Sequence, residues 1–171
     1  SVTIEGRAEA DRADIVVEGG AGIDGFDITA DDVTIRHMLF DGVDVSGTGI
    51  DVAGDSATIQ DVEGVNWVNA IRLDASKDSV VDDCEVDDNN LGIWAAGGEN
   101  NIIRENLTGD NNNMGVVVQN EDLTLLTDND LSGANAALYL DGAAPPDILN
   151  VRVVRNTIHA GSDGILIDVL D

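Results

Sequence analysis

The sequence feature that most constrains the fold is a four-residue pattern that occurs seven times. It consists of a small residue, an apolar residue, a residue of free choice and a second apolar residue, as in Gly49-Ile50-Asp51-Val52. The copies begin at positions 25, 49, 70, 92, 115, 137 and 164, which gives spacings of 24, 21, 22, 23, 22 and 27 residues. Periods of roughly 20 to 50 residues are typical of solenoids, in which each repeat forms one turn of the chain.

A second apolar pattern between these copies keeps the same spacing. It ends at Ile35, Ile59, Val81, Ile103, Leu126 and Val153. The residues three positions later are Met38, Val62, Cys84, Asn106, Asn129 and Asn156, and those five positions later are Phe40, Gly64, Val86, Thr108, Leu131 and Ile158. Apolar residues alternate with a period of two, and Val, Ile and Thr are frequent, which favours strands over helices. The sequence therefore predicts an all-β fold, a parallel β-helix of about seven coils whose strands pair at about 4.8 Å.

Four segments resemble the repeats of a known group of proteins: Val2-Thr3-Ile4-Glu5-Gly6, Asp32-Val33-Thr34-Ile35, the Gly-Ile-x-Val strands, and Asn101-Ile102-Ile103-Arg104-Glu105-Asn106. Over essentially its whole length the chain is similar to right-handed parallel β-helix proteins of the pectin-lyase-like group. Within that group it resembles the NosD-like, or CASH-type, repeats of carbohydrate-binding proteins and sugar hydrolases. The resemblance implies a right-handed single-stranded solenoid and an extracellular, cell-surface or virion location. It does not imply one activity, because this fold carries lyases, hydrolases, epimerases, phage spikes and scaffolds.

The length of 171 residues predicts a single domain, residues 1–171. Residues 1–28 are expected to form an irregular first turn, with a charged turn from Arg7 to Asp14. The last coil, 141–167, is longer and contains Ala143-Ala144-Pro145-Pro146. Prolines cannot donate to a strand ladder, so this segment predicts a protruding loop. Because the sequence starts and stops beside strands, we expect it to be a piece of a longer chain.

The chain is strongly acidic. Its formal net charge is −26, from 34 acidic and 8 basic residues, of which Lys77 is the one lysine. This composition is typical of proteins from a salt-saturated environment, where the Debye length falls to about 3 Å and self-repulsion is screened. It argues against nucleic acid as a partner, because phosphates need a basic surface. Cys84 stands alone, which excludes an internal disulfide, and no apolar run predicts a membrane span.

The free positions of the main pattern are predicted to point outward from one sheet. They are Asp27, Asp51, Arg72, Trp94, Val117, Tyr139 and Leu166. In the resembled family, polysaccharide grooves cross this column, which implies that Trp94 and Tyr139 stack on sugar rings. Arg72 would then contact a carboxylated sugar, while Asp51 and Asp74 would complete the carbohydrate site or hold calcium. The alternative is a solvated sheet face that carries two aromatic residues.

A second candidate site lies two residues beyond the end of the second pattern. The residues there are His37, Asp61, Asp83, Glu105, Asp128 and Arg155. Stacked carboxylates about 4.8 Å apart repel one another by roughly 0.9 kcal/mol per pair in water, which favours bound cations. The sequence therefore predicts a metal site at Asp61, Asp83, Glu105 and Asp128, for calcium or for the monovalent cations of brine. The alternative is a hydrated acidic face. The asparagines Asn106, Asn129 and Asn156 are expected to form a structural stack at the neighbouring position.

Catalytic residues cannot be assigned from the sequence. Arg72 with Asp51 and Asp74 is the one local match to a lyase site, and His159 before Ala160-Gly161 falls short of the polygalacturonase motif. Three hypotheses remain open. The first is a non-catalytic β-helix module of a secreted, cell-surface or viral protein of a halophile, a structural scaffold that binds polysaccharide or a cell-surface glycan. The second is a polysaccharide lyase or glycoside hydrolase domain. The third is a self-assembling unit that stacks with other β-helix domains through its exposed strand edges.

Overall fold

The computed structural model describes residues 1–6, 16–19, 24–42, 47–142, 150–159 and 161–169. These residues form nineteen β-strands and contain no helix, so the all-β prediction is confirmed. The predicted charged turn and the loop with the paired prolines lie outside the described residues.

The strands are numbered in chain order. They are β1 (Val2–Glu5), β2 (Val16–Gly19), β3 (Phe26–Ile28), β4 (Val33–Gly42), β5 (Thr48–Val52), β6 (Thr58–Val65), β7 (Asn69–Asp74), β8 (Val80–Asp82), β9 (Glu85–Asp87), β10 (Leu91–Ala96), β11 (Ile102–Arg104), β12 (Leu107–Thr108), β13 (Met114–Gln119), β14 (Leu125–Thr127), β15 (Asp130–Leu131), β16 (Ala136–Gly142), β17 (Arg152–Val154), β18 (Thr157–Ile158) and β19 (Asp163–Val169).

The copies of the main pattern form one seven-stranded sheet, in the order β19-β16-β13-β10-β7-β5-β3. Every neighbouring pair in this sheet is parallel. The register aligns Ile50 with Ile71, Ile71 with Ile93, and Ile93 with Val116. Residues about two dozen positions apart are therefore nearest neighbours, and the predicted stack of parallel coils is confirmed.

The second pattern forms a twelve-stranded sheet that is divided along its length. The long strand β6 pairs with β8 through its first half and with β9 through its second half. In the later coils each long strand is replaced by two short ones, such as β11 and β12. The division falls where φ is positive, for example 50° at Asp61 and 52° at Asp83. Each regular coil thus contributes three strands, two to this sheet and one to the seven-stranded sheet.

The interior of the solenoid is a continuous apolar core. Its fully buried members include Ile59, Val81, Ile103 and Leu126, which are the inward positions of the second pattern. Cys84 is a buried thiol in the same interior, with its Sγ 3.2 Å from the main-chain oxygen of Asp82. Each coil therefore buries its apolar side chains against the coils above and below it.

The largest buried side chain is that of Trp67, which is 0 % exposed. Its Nε1 donates a hydrogen bond to the main-chain oxygen of Phe40 at 3.0 Å, so the polar part of the indole is satisfied. A Cβ at Gly49 would lie 3.2 Å from this Nε1 and 2.6 Å from the main-chain oxygen of Ala70. Glycine at the start of the repeated pattern therefore leaves room for both the indole and the next coil.

The predicted asparagine stack is present inside the solenoid. The Asn106 Oδ1 accepts a hydrogen bond from the main-chain N–H of Cys84 at 2.9 Å. In the same way, the Asn129 Oδ1 accepts from the main-chain N–H of Asn106 at 3.0 Å. The Asn156 Oδ1 accepts from the main-chain N–H of Asn129, also at 3.0 Å. These side chains satisfy backbone donors where the strands break, and an unpaired buried donor would be costly there.

Equivalent bonds occur at the other two corners. At one of them Asn89 Oδ1 accepts from the N–H of Trp67 at 2.9 Å, and Asn111 Oδ1 accepts from the N–H of Asn89 at 3.1 Å. At the other, Asn101 Oδ1 accepts from the N–H of Ser79 at 3.0 Å. Polar side chains therefore join successive coils at all three corners, while apolar residues fill the space between the sheets.

Candidate functional site

The residues predicted to bind carbohydrate lie on the outer face of the seven-stranded sheet. The register places Asp51 beside Arg72, Arg72 beside Trp94, and Trp94 beside Val117. Tyr139 follows Val117 on the next strand. The structure therefore brings these five residues of the predicted column into direct succession, with Tyr139 two coils beyond Trp94.

Arg72 is the centre of this arrangement. Its Nη1 lies 3.4 Å from the Asp51 Oδ2, and its Nη2 lies 2.9 Å from the Asp74 Oδ2. Its Cζ lies 4.8 Å from the centroid of the Trp94 ring, in the geometry of a cation–π contact. The guanidinium is held by two carboxylates and one aromatic ring, which fixes the position of the indole. We call Asp51, Arg72, Asp74 and Trp94 the Arg72 cluster.

The polar groups of the Arg72 cluster are only partly satisfied. Partial burial raises the pKa of the Asp51 carboxyl, and repulsion by Asp74 acts in the same direction, while the attraction of Arg72 opposes both. Within the described residues, the Asp51 Oδ1, the Arg72 Nε and the Trp94 Nε1 are buried without a hydrogen-bond partner. The cluster thus holds one buried acceptor and two buried donors that its own geometry leaves without partners.

The outer face becomes apolar beyond the Arg72 cluster. Val117 points outward but is only 5 % exposed, between its register neighbours Trp94 and Tyr139. Leu166 continues the column and is 39 % exposed. Burial raises the pKa of the Tyr139 hydroxyl, and the nearby carboxylate of Asp141 adds to the effect. We call Trp94, Val117, Tyr139 and Leu166 the apolar strip. The sequence predicted all four as outward positions but assigned a binding role only to the two aromatic residues.

The acidic residues predicted to bind metal lie at the corner that divides the twelve-stranded sheet. They have positive φ values, from 50° at Asp61 to 59° at Asp128, including 57° at Glu105. The left-handed conformation is less costly for Asp than for most residues, so the backbone supplies a structural reason for Asp61, Asp83 and Asp128 but not for Glu105. We call Asp61, Asp83, Glu105 and Asp128 the acidic corner.

Both ends of the acidic corner already have basic partners. The Asp61 Oδ2 lies 2.5 Å from the His37 Nδ1. The Arg155 Nε and Nη2 donate to the two oxygens of Asp128, each at 2.6 Å. The hydrogen bonds from Arg155, with a further one from Thr127, lower the pKa of Asp128 to about 2. The described residues contain no group of three or more His, Cys, Asp or Glu side chains close enough to hold one ion. The metal site stays a prediction.

A buried carboxylate that sequence reasoning missed lies at another corner. Glu121 is 0 % exposed, and burial raises its pKa. Its oxygens accept hydrogen bonds from the Gly98 N–H at 2.8 Å, the Asn101 Nδ2 at 3.0 Å and the Thr124 Oγ1 at 2.8 Å. These bonds join two coils, so the role that the geometry supports for Glu121 is structural.

A cleft of about 270 Å³ at the third corner contains the histidine considered in the sequence. The His159 Nε2 lies 2.6 Å from the Asp130 Oδ1. The hydroxyl of Ser132, which also lines this cleft, donates at 2.6 Å to the main-chain oxygens of Thr108 and Gly109. Its proton is directed at the backbone rather than at His159, so the geometry is not that of an activated nucleophile.

The parallel strands, stacked apolar columns and corner ladders define a parallel β-helix. A family model described as the right-handed β-helix region matches residues 48–170, and the chain belongs to this family. The match supports the predicted right-handed solenoid. A comparison with curated proteins finds no match.

Within the part of the chain that the structure describes, no helix has the length and apolar character needed to cross a bilayer.

Proposed function

We propose that this chain is a non-catalytic β-helix module that binds a neutral polysaccharide along the outer face of its seven-stranded sheet. The observation that supports this proposal is the contact of Arg72 with Trp94, at 4.8 Å, beside an apolar strip that is half-buried at Trp94 and Tyr139 and exposed at Leu166. A β-helix provides a stiff scaffold on which the same position of each coil repeats along one axis. Such a face suits an extended polymer whose units also repeat.

The chemistry of the face matches that of a sugar ring. Sugars have apolar C–H faces, which pack on aromatic rings, and hydroxyl edges, which donate to carboxylates and accept from N–H groups. Trp94 and Tyr139 are two coils apart, or about 9.6 Å along the axis, so each can contact a different part of one polymer. Asp51 and Asp74 would accept hydrogen bonds from hydroxyl groups beside the Trp94 ring.

The charge of the face favours a neutral polysaccharide over a carboxylated one. Both terminal nitrogens of Arg72 already bind carboxylates, at 3.4 Å from Asp51 and 2.9 Å from Asp74. Asp141 and Asp168 add further negative charge to this face. They are neighbours in register at the edge of the sheet beyond the apolar strip. A uronate polymer would face net repulsion from these groups except at high salt.

The proposal includes a secreted, cell-surface or virion location in a halophilic organism. The support for it is the net charge of −26 together with the resemblance to carbohydrate-associated β-helix repeats. A surface of this charge stays soluble at molar salt, where self-repulsion is screened.

The test is binding to a panel of neutral and uronate polysaccharides in molar KCl. Trp94→Ala should weaken binding of a neutral polymer by about tenfold or more, which corresponds to at least about 1.4 kcal/mol. Leu107→Ala is the matched control, because Leu107 is 42 % exposed on the other sheet. Circular dichroism would confirm that both variants fold.

Two results would contradict the proposal. One is failure of the wild-type chain to bind any neutral polymer, and the other is equal binding by the wild type and Trp94→Ala. Release of reducing ends or of unsaturated products during the same assay would instead support the lyase or hydrolase hypothesis.

A further inference from the structure

One outward column of the twelve-stranded sheet has no acidic residue among its described members. On successive coils the register aligns Thr3, Thr34, Thr58, Val80, Ile102, Leu125 and Arg152, which we call the Ile102 column. The next outward column, two residues further along each strand, contains Glu5 and Asp82. The Ile102 column lies on a different sheet from Trp94 and Tyr139, so a partner bound there leaves the proposed polysaccharide site open.

The middle of the Ile102 column is apolar and partly exposed. Val80, Ile102 and Leu125 each precede a fully buried residue of the core, so their own side chains point outward, where they are half-buried. Each of the three has a described coil above it and another below it. An outward apolar row with polar residues around it is typical of a protein-binding surface.

Leu123, at the edge of this row, has a backbone conformation that suits leucine poorly. Its φ is 54°, in the left-handed region, and its side chain is 48 % exposed. The equivalent positions of the other coils, each two residues before the column, also have positive φ but are polar: Asp32, Ser56, Asp78, Asn100 and Asn150. Asp and Asn adopt this conformation at lower cost than leucine. Leu123 therefore destabilises the single chain, and backbone strain of this kind is concentrated at functional sites.

The two ends of the Ile102 column differ in charge. Arg152, at one end, is exposed and forms no ion pair with another described residue. Towards the other end, Asp31 and Asp55 occupy the adjacent corner, where the Asp31 Oδ1 accepts a hydrogen bond from the Asp55 N–H at 3.0 Å. The face is thus complementary in charge to a copy of itself that runs in the opposite direction.

We infer that a second copy of this chain binds the Ile102 column across a two-fold axis that runs along the strands through Ile102. Such an axis reverses the direction of the solenoid. A residue a given number of coils beyond Ile102 then faces one the same number of coils before it. Val80 would pack on Leu125 of the second copy, and Leu123 on the methylene groups of its Lys77.

Charge selects the antiparallel arrangement. Arg152 lies two coils beyond Ile102, and the coil of Asp55 lies two coils before it, so the dimer brings these side chains together twice. With parallel solenoids, the two copies of Arg152 would instead lie at the same height, as would the two copies of Asp55. The contact closes at two copies, and high salt should promote it because the net charge of −26 opposes association when screening is weak.

The experiment is sedimentation velocity across a concentration series in molar KCl. Wild type should form a closed dimer, and Ile102→Lys and Leu123→Asn should each weaken it by about tenfold or more. Leu107→Lys is the matched control, because Leu107 is 42 % exposed on the other half of the same sheet. Leu123→Asn should also raise the urea midpoint of the monomer, because Asn adopts the left-handed conformation more readily.

Cysteine crosslinking tests the direction of the second copy. Opposed sheets lie about 10 Å apart, a distance that a short bismaleimide can span. Ile102→Cys should crosslink with itself, whereas Val80→Cys should crosslink faster with Leu125→Cys in a mixture than with itself. Cys84 is buried and should not react.

A wild type that stays monomeric at all concentrations would overturn the inference, as would equal weakening of association by Leu107→Lys and Ile102→Lys. Faster crosslinking of Val80→Cys with itself than with Leu125→Cys would contradict the antiparallel dimer. A lower urea midpoint for Leu123→Asn would show that Leu123 serves the fold of the single chain rather than the contact between copies.

Discussion

The Oδ1 atom of Asn129 accepts two hydrogen bonds from Asn106 of the preceding coil, one from its main-chain N–H and one from its side-chain amide, both at 3.0 Å. The Asn129 Nδ2 in turn donates to the main-chain oxygen of Ile103 at 2.9 Å. One side chain thus satisfies buried polar groups on both sides of a corner. The corner ladders therefore set the register of the coils, because a slip of one residue would break several of these bonds together.

Asn129→Ala should destabilise the fold strongly. It removes the acceptor of the buried N–H of Asn106 and one donor to the main-chain oxygen of Ile103, and an unsatisfied buried group costs about 1–3 kcal/mol. We expect a loss of about 3 kcal/mol in urea unfolding at constant molar KCl. Asn135→Ala, at an exposed position, should change stability by no more than about 0.5 kcal/mol. Equal effects of the two variants would contradict a structural ladder.

Trp67→Phe should also cost stability, by about 2–4 kcal/mol, because it leaves a cavity and an unpaired main-chain oxygen at Phe40. Trp94→Phe keeps an aromatic ring under Arg72 and loses no hydrogen bond within the described residues, so it should cost about 1 kcal/mol or less. The two variants can be compared by urea unfolding followed by circular dichroism. A larger loss for Trp94→Phe would show that the two tryptophans have been assigned to the wrong roles.

Glu121→Gln should change how stability depends on pH. Burial raises the pKa of Glu121 above its ordinary 4.5, so the folded state favours the neutral carboxyl. The contribution of this group to stability is fully present below pH 4.5 and is lost as the pH rises through the folded-state pKa. The variant should therefore gain stability relative to wild type between acid and neutral pH.

The measurement is the difference in unfolding free energy between wild type and Glu121→Gln across that pH range. Glu99→Gln serves as the control, because the Glu99 side chain is 47 % exposed, at 3.4 Å from Lys77. A difference for Glu121→Gln that stays constant with pH would contradict the raised pKa.

The acidic corner gives a prediction about cations. We propose that Asp61, Asp83, Glu105 and Asp128 bind calcium or concentrated monovalent cations, because adjacent carboxylates repel one another. Calorimetric titration of calcium in molar KCl should release or absorb heat above the salt background if the site prefers calcium. Glu105→Asn should reduce that heat without unfolding the chain, since Asn tolerates the φ of 57° at this position.

The absence of calcium-specific heat would reject a calcium site and leave only exchangeable brine cations at the corner. Titration with potassium in dilute buffer, where self-repulsion is strongest, would then test the remaining part of the proposal. If potassium does not stabilise the wild type more than Glu105→Asn, the acidic corner binds no cation.

Much of the fold could be predicted from the sequence, because similar residues recur at the spacing that sets the register of the strands. Ile50, Ile71 and Ile93 are spaced so that only a stacked coil makes them neighbours, and the structure pairs them. The outward column from Asp51 to Tyr139 follows from the same spacing, since side chains alternate between the two faces of a strand. The residues of this column could be named from the sequence. The contacts between their side chains could not, because these depend on rotamers that the spacing does not determine.

Other features could not be predicted because they break the usual link between residue type and burial. Trp67 lies outside both repeated patterns, and its burial depends on space left by Gly49. Acidic residues are abundant in this chain, so a glutamate at position 121 gave no indication that its side chain is buried. The sequence feature that could have indicated the burial of Trp67 is the small residue at the start of each copy of the main pattern, such as Gly49.

The measurement that tests the central claim most directly is the distance between paired spin labels along one outward column. The register aligns Glu63, Glu85, Leu107, Asp130 and Thr157 on successive coils. Labels at cysteines replacing Glu85 and Asp130 should have backbones about 9.6 Å apart, and labels at Glu63 and Thr157 about 19 Å. Cys84 is buried and should not react with the label. A distance that rises in proportion to the number of coils is the predicted result, and distances that bear no relation to the number of coils would contradict the stacked solenoid.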